Sequence, residues 1–190
     1  ENNKIICTLD IRSKKMSEDL IKLGVTPKKS LFIKFPNNNI VPEKLVSHFI
    51  RGYFDGDGCV WNGKRIKRKI KDITKVDGFR YRIIHNVKFT ITGNIDFINM
   101  LQDFLVFNLN FKKTKLNFSK SKIKKHICTM EYSGRSQMKT FYNYIYKDAS
   151  IYSEIKKLKF ENIFCALNEK SLSETRLIAG KPEMAISSQA

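Results

Sequence analysis

Apolar residues recur along this chain at two different periods, and the changes of period mark its elements. Residues 4–11, KIICTLDI, read as a strand. Ser13 then stands where a helix cap belongs, and Met16, Leu20 and Leu23 follow helical spacing until Gly24 ends the run. A turn around Pro27 leads into a short extended stretch, LFIKF, and Asn37–Asn39 form a loop. Pro42 supplies a favoured first helical position, with Glu43 suited to the helix dipole. The predicted helix carries Leu45, Phe49 and Tyr53 on one stripe, with Val46 and Ile50 beside it, and stops where Asp55-Gly56-Asp57-Gly58 begins.

Downstream the period shortens to two. In RYRIIHNVKFTIT, residues 80–92, Tyr81, Ile83, Val87, Phe89 and Ile91 share one face, while Arg82, Lys88, Thr90 and Thr92 share the other. This predicts one long strand or a strand pair, half-buried, with a basic polar face. Gly93-Asn94 breaks the alternation, and Ile95, Ile98, Leu101 and Leu105 return to helical spacing. A second strand pair follows, with Leu116 and Phe118 on one member and Cys128, Met130 and Tyr132 on the other, joined by the basic loop SKSKIKK. Met138, Phe141, Tyr142, Ile145 and Tyr146 mark a helix, and Ile151, Ile155 and Leu158 mark another. Beyond Asn168 the periodicity fades into a polar tail.

Composition narrows the partner. With 36 Lys and Arg against 18 acidic residues the formal net charge is +18, which favours a polyanion, nucleic acid above all. The cations are interspersed with apolar residues, and no apolar run reaches the roughly 18 residues of a spanning helix. A membrane partner is therefore not expected, and the opening ENNKII lacks the pattern of a secretory leader. Cys7, Cys59, Cys128 and Cys165 lie far apart within apolar stretches, so they read as reduced core residues of an intracellular protein. His48, His85 and His126 show no spacing that would form a metal cluster, and His48 reads as structural. The wealth of Lys, Asn, Ile, Phe and Tyr suits AT-rich coding, hence a mitochondrion, a plastid, or the cytoplasm of an AT-rich bacterium or phage host.

Within PEKLVSHFIRGYFDGDGCV, the nonapeptide Ile50-Arg51-Gly52-Tyr53-Phe54-Asp55-Gly56-Asp57-Gly58 resembles the motif that names the LAGLIDADG homing endonucleases. SKKMSEDLIKLGVTPKKS and YSGRSQMKTFYNYIYKDASIY are similar to other family regions, so the resemblance spans about residues 4–160 in three blocks. An EF-hand is the competing reading of the acidic stretch, but Cys59 occupies the fifth loop position, where an oxygen ligand is needed.

The resemblance implies an α+β fold in the order αββαββα, with a saddle-shaped antiparallel sheet. It implies that Asp57 is the catalytic carboxylate and the metal ligand, assisted by the Gly56 carbonyl, while Asp55 stays structural. Mg2+, or Mn2+ or Ca2+ in its place, would be the cofactor, and phosphodiester hydrolysis the reaction. Gly52, Phe49 and Tyr53 would form the face on which two such helices meet, a small residue allowing close approach; Gly56 and Gly58 would permit the tight exit of the chain. Thr90, Asn94 and Arg135 are the positions nearest the family's further pocket residues, against plain surface or capping roles. On the sheet, Lys64, Arg65, Lys67, Lys69, Lys71, Arg80, Arg82 and Lys88, with Lys115, Lys120 and Lys122, are candidates for contacting double-stranded DNA through base edges or phosphates.

Cutting two strands takes two such sites, and the chain holds one motif. The second would come from a homodimer partner or from a first half, of which residues 1–41 would be the strand-helix remnant. Residues 42–167 would then be the endonuclease domain and 168–190 a tail. A maturase-like RNA-binding protein of the same fold, or a non-catalytic DNA-binding protein, remains an alternative at this level.

Overall fold

The computed structural model describes residues 8, 10–76, 78–119 and 126–165. Most of the expected opening strand lies outside them, and Thr8 and Asp10–Arg12 have no regular structure. Helix α1, Lys14–Lys22, starts as anticipated, with the Ser13 hydroxyl accepting from the Met16 amide at 3.2 Å and Gly24 at φ +87° beyond its end. It buries nothing: Met16, Leu20, Ile21 and Leu23 all remain exposed. The expected extended stretch LFIKF is instead the end of a 3-10 turn, Lys29–Leu31, followed by irregular chain.

Beyond that, a 3-10 turn at Glu43–Leu45 precedes helix α2, Val46–Asp57. Its order with β1 (Gly58–Lys71), β2 (Phe79–Asn94), α3 (Ile95–Leu109), β3 (Asn117–Phe118), β4 (Ile127–Ser133) and α4 (Arg135–Tyr146) is αββαββα. A further helix, α5, occupies residues 154–165. The four strands form one open antiparallel sheet in the order β1-β2-β4-β3, so the fold is α+β.

The alternation of β2 fixes which side of the sheet is wet. Val87, Phe89 and Ile91 are buried, and so are Val60, Met130 and Tyr132 in register with them. Phe89 stacks on Phe141 of α4 at 4.1 Å, and Phe54 of α2 meets Phe141 edge-on at 5.1 Å, with Phe160 of α5 closing the group. Aromatic burial of this kind is the main term holding helices to sheet. Phe35 joins this core from the segment before residue 42, resting against Phe49, Phe97 and Phe104. Lys88, Thr90 and Thr92, which alternate with Val87, Phe89 and Ile91, lie half-buried on the opposite face of the sheet.

Three sequence expectations change. Helix α2 does not stop before its acids; both lie in its last turn. The α5 residues Ile155 and Leu158, and Ile151 before it, are exposed, because Phe160 and Ile163 are the ones turned to the core. Cys128 is buried but Cys59 and Cys165 are exposed, and Cys7 lies outside the described residues. Among the described residues no helix is long and apolar enough to cross a membrane.

Candidate metal centre and nucleic-acid interface

The two acids of the α2 terminus have different surroundings. Asp55 turns inward: Tyr146 Oη donates to its Oδ1 at 2.7 Å and the Ser153 amide to its Oδ2 at 2.9 Å. Asp57 is exposed, and among the described residues it has no hydrogen-bond or ion-pair partner. Burial, and then the hydrogen bond to Asp55, pushes the Tyr146 phenol upward.

The end of α2 is pinned from across the molecule. Lys156 Nζ of α5 donates to the carbonyls of Phe54 at 2.8 Å, Asp55 at 2.7 Å and Gly56 at 3.3 Å. Of these, the Phe54 carbonyl also accepts from the Gly58 amide, while those of Asp55 and Gly56 are ones a helix terminus leaves without intrahelical donors. Burial lowers the Lys156 ammonium from the ordinary lysine value, with Asp55, Cys59 and Asp57 pulling the other way. Gly58 is required by close approach, since a Cβ there would lie 2.2 Å from the Phe54 ring and 2.6 Å from the Phe54 carbonyl. That tight exit carries the chain from α2 straight into β1.

One side of α2 is open. Phe49, Gly52, Tyr53 and Gly56, spaced i, i+3, i+4, i+7, line a groove of about 720 Å³ with Asp57 at its end. Val25 and Ile33 form the facing wall. A Cβ at Gly52 or Gly56 would meet nothing within 4 Å, so the helix surface there is flat and unfilled. Tyr53 is held rigidly: it stacks on Phe97 at 4.3 Å and donates to the Thr92 carbonyl at 3.0 Å. Burial first, then Asp57, raises its phenol to about 12. His48 and Arg51 are structural, Arg51 being buried and donating to the carbonyls of Ile145 and Ile151 and meeting His48 Nδ1 at 2.8 Å.

Asp57 is the exposed carboxylate lining this groove. No group of three His, Cys, Asp or Glu side chains forms a cluster among the described residues. The Gly56 carbonyl already accepts from Lys156, with a second lone pair remaining.

The other expected pocket residues separate. Thr90 pairs with Cys59 on one side and Glu131 on the other, one residue from the Gly58–Ile91 level where α2 ends. Asn94 is occupied as the α3 cap, Oδ1 accepting from the Phe97 amide at 2.9 Å and Nδ2 donating to the Ile33 carbonyl at 2.7 Å. Arg135 is exposed at the start of α4, where the Gly134 amide meets the Val87 carbonyl. Ile91 to Val87 is four residues of β2, so Arg135 stands on the order of 13 Å along the sheet from the Asp57 end.

Of the predicted cations, Lys64 and Arg80 lie on β1 and β2 with exposed side chains, and Lys115 is exposed just before β3. Arg65, Lys67, Lys69 and Arg82 fall on the same two strands, their side chains outside the described set; Lys120 and Lys122 lie wholly outside it. Lys88 is engaged: Nζ bonds Glu131 Oε2 at 2.6 Å and stands 5.7 Å over the Trp61 ring. Sequence reasoning missed Lys156, which sits in a run of lysines with no local mark to set it apart, and periodicity alone did not mark β1, which the αββαββα order implied.

In shape the chain is similar to solved homing endonucleases. It matches I-TnaI with a TM-score of 0.43 and 18% identity over 67% of this chain and 75% of that one. It matches the LAGLIDADG homing endonuclease I-LtrWI, bound to target DNA, with a TM-score of 0.43 and 16% identity over 74% of this chain and 44% of that one. The LAGLIDADG meganuclease I-AabMI, bound to uncleaved DNA, gives 0.40 and 19% over 68% and 39%. This chain thus spans less than half the length of the latter two. No protein-family model matches the chain, and no curated protein does.

Proposed function

We propose that this chain is one half-site of a LAGLIDADG-type homing endonuclease, a site-specific DNA endonuclease that hydrolyses phosphodiester bonds with a divalent metal. The observation that carries this reading is the exposed Asp57 carboxylate at the end of a helix whose flat, glycine-bearing face lines the same groove. Arg80, exposed on β2 and 3.8 Å from Asp72, and Lys64, exposed on β1 at the register of His85, would suit phosphates of a bound duplex. A bound divalent cation would supply Lewis-acid stabilisation of the phosphate charge and a more acidic water. Asp57 would hold it, with the Gly56 carbonyl as a further oxygen, while Asp55, tied to Tyr146, would keep α2 in place. Thr90, nearest that end of the sheet, would order water or phosphate around it.

The groove beside Gly52 would receive the equivalent helix of a second half, either a second copy or a preceding repeat. Two Asp57-like carboxylates would then face the two strands of one site. The test is incubation with a library of long randomised duplexes in Mg2+, followed by sequencing of the ends produced. One extended site, cut or nicked reproducibly, is expected. Absence of any cut alongside tighter binding to a folded RNA than to every duplex at matched salt would favour a maturase instead.

A further inference from the structure

We propose that Lys156 is a positioning residue for the metal-holding carboxylate: by bridging the Phe54, Asp55 and Gly56 carbonyls in the last turn of α2 from α5, it fixes the peptide from which Asp57 projects. This rests on the metal-dependent nuclease reading. Asp57 is the final residue of α2 and Gly56, with no side chain and nothing within 4 Å of a notional Cβ, precedes it. A helix end of that kind frays, because its carbonyls lack intrahelical donors and its glycine has wide backbone freedom. The Gly58 amide satisfies only the Phe54 carbonyl. Lys156 Nζ reaches the carbonyls of Phe54, Asp55 and Gly56 together and stands 5.6 Å over the Phe54 ring. The contact joins residues about one hundred positions apart, so the orientation of the Asp57 peptide is set by the docking of α5 and not by local sequence. Nearby, the Ser153 amide and Tyr146 fix the Asp55 side chain, leaving the Gly56–Asp57 peptide dependent on the ammonium.

Binding of Mn2+ to the complex of the full chain with its duplex, read from the paramagnetic resonance of the free ion, is the primary measurement. Residues that orient a metal ligand typically change affinity 10- to 100-fold when removed, so Lys156→Met should weaken Mn2+ binding about tenfold or more. Duplex affinity without divalent metal should stay near wild type. Lys156→Arg, which keeps the charge and several donors, should restore Mn2+ binding. The Mg2+ concentration for half-maximal cleavage should move in parallel. Unchanged Mn2+ affinity in Lys156→Met overturns the proposal. So does an equal loss in metal-free duplex affinity, which would make Lys156 a phosphate contact. If Lys156→Met does not fold, Lys156→Gln, which keeps two N–H donors without the charge, replaces it under the same criteria. Failure of the nuclease reading has another signature: the wild-type complex would bind no Mn2+ and Asp57→Asn would change nothing, taking both proposals with it.

Discussion

The Tyr146 hydroxyl donates to Asp55 Oδ1 at 2.7 Å, joining α4 to the last turn of α2. With the Ser153 amide on the other carboxylate oxygen, Asp55 is committed to holding the helix, while its neighbour two residues on stays exposed. Asp55→Ala leaves a half-buried hydroxyl and an amide without their acceptor, each worth about 1–3 kcal/mol. Chemical denaturation should show a loss of that order. A stability equal to wild type would show the contact to be idle.

Gly52 and Gly58 should respond in opposite ways to alanine. At Gly58 the added Cβ meets Phe54 at 2.2 Å, so overpacking of about 1–3 kcal/mol or more is expected. At Gly52 the space is empty, and replacing a helical glycine should stabilise the isolated chain by roughly 0.5–1 kcal/mol. The larger Gly52→Leu should fold equally well yet prevent association through the groove. Sedimentation and melting of the two Gly52 variants check this; unimpaired assembly of Gly52→Leu would place the pairing surface elsewhere.

The elements legible in the sequence were those whose partners lie close in the chain. Val87, Phe89 and Ile91 alternate as read, and Asn94 and Ser13 cap the helices that follow them. Strand β1 was hidden from periodicity because GKRIKRKIK has cations at odd and even positions alike; its pairing with β2, not its own pattern, makes it a strand. The face of α5 was misread for a related reason: Phe160 and Ile163 find the core through Phe54 and Phe89, leaving the helical-spaced Ile155 and Leu158 outside. At the site, the motif pointed to the end of α2, where Asp57 is exposed and Gly52 and Gly56 line the groove. Lys156 depends on a contact across most of the domain and left no mark in its own neighbourhood.

The Lys88–Glu131 pair predicts a salt effect. Each phosphate contact adds about 0.9 to the slope of log affinity against log salt. Glu131→Gln should release Lys88 from its 2.6 Å partner and steepen that slope for duplex binding by about one contact. An unaltered slope would show that Lys88 does not reach a phosphate.

Alkaline pH should loosen the groove wall. The Tyr53 phenol is raised from 10.0 to about 12 in the folded chain, mainly by burial. The folded state therefore holds this proton more tightly than the unfolded state. Its stabilising contribution is complete below pH 10.0 and is lost as pH rises toward about 12. Tyr53→Phe should lower the pH dependence of stability in that window, at the expense of the hydrogen bond to Thr92. Phenolate absorbance followed alongside unfolding measures it, and an unchanged pH profile in the variant would count against the assignment.

The most direct measurement compares wild type with Asp57→Ala on the duplex recovered from the library, with binding measured in Ca2+ and cleavage in Mg2+. Loss of a catalytic carboxylate should slow cutting by at least about a hundredfold while duplex affinity changes little. Cleavage by Asp57→Ala at the wild-type rate would contradict the assignment of Asp57 as the metal-holding group.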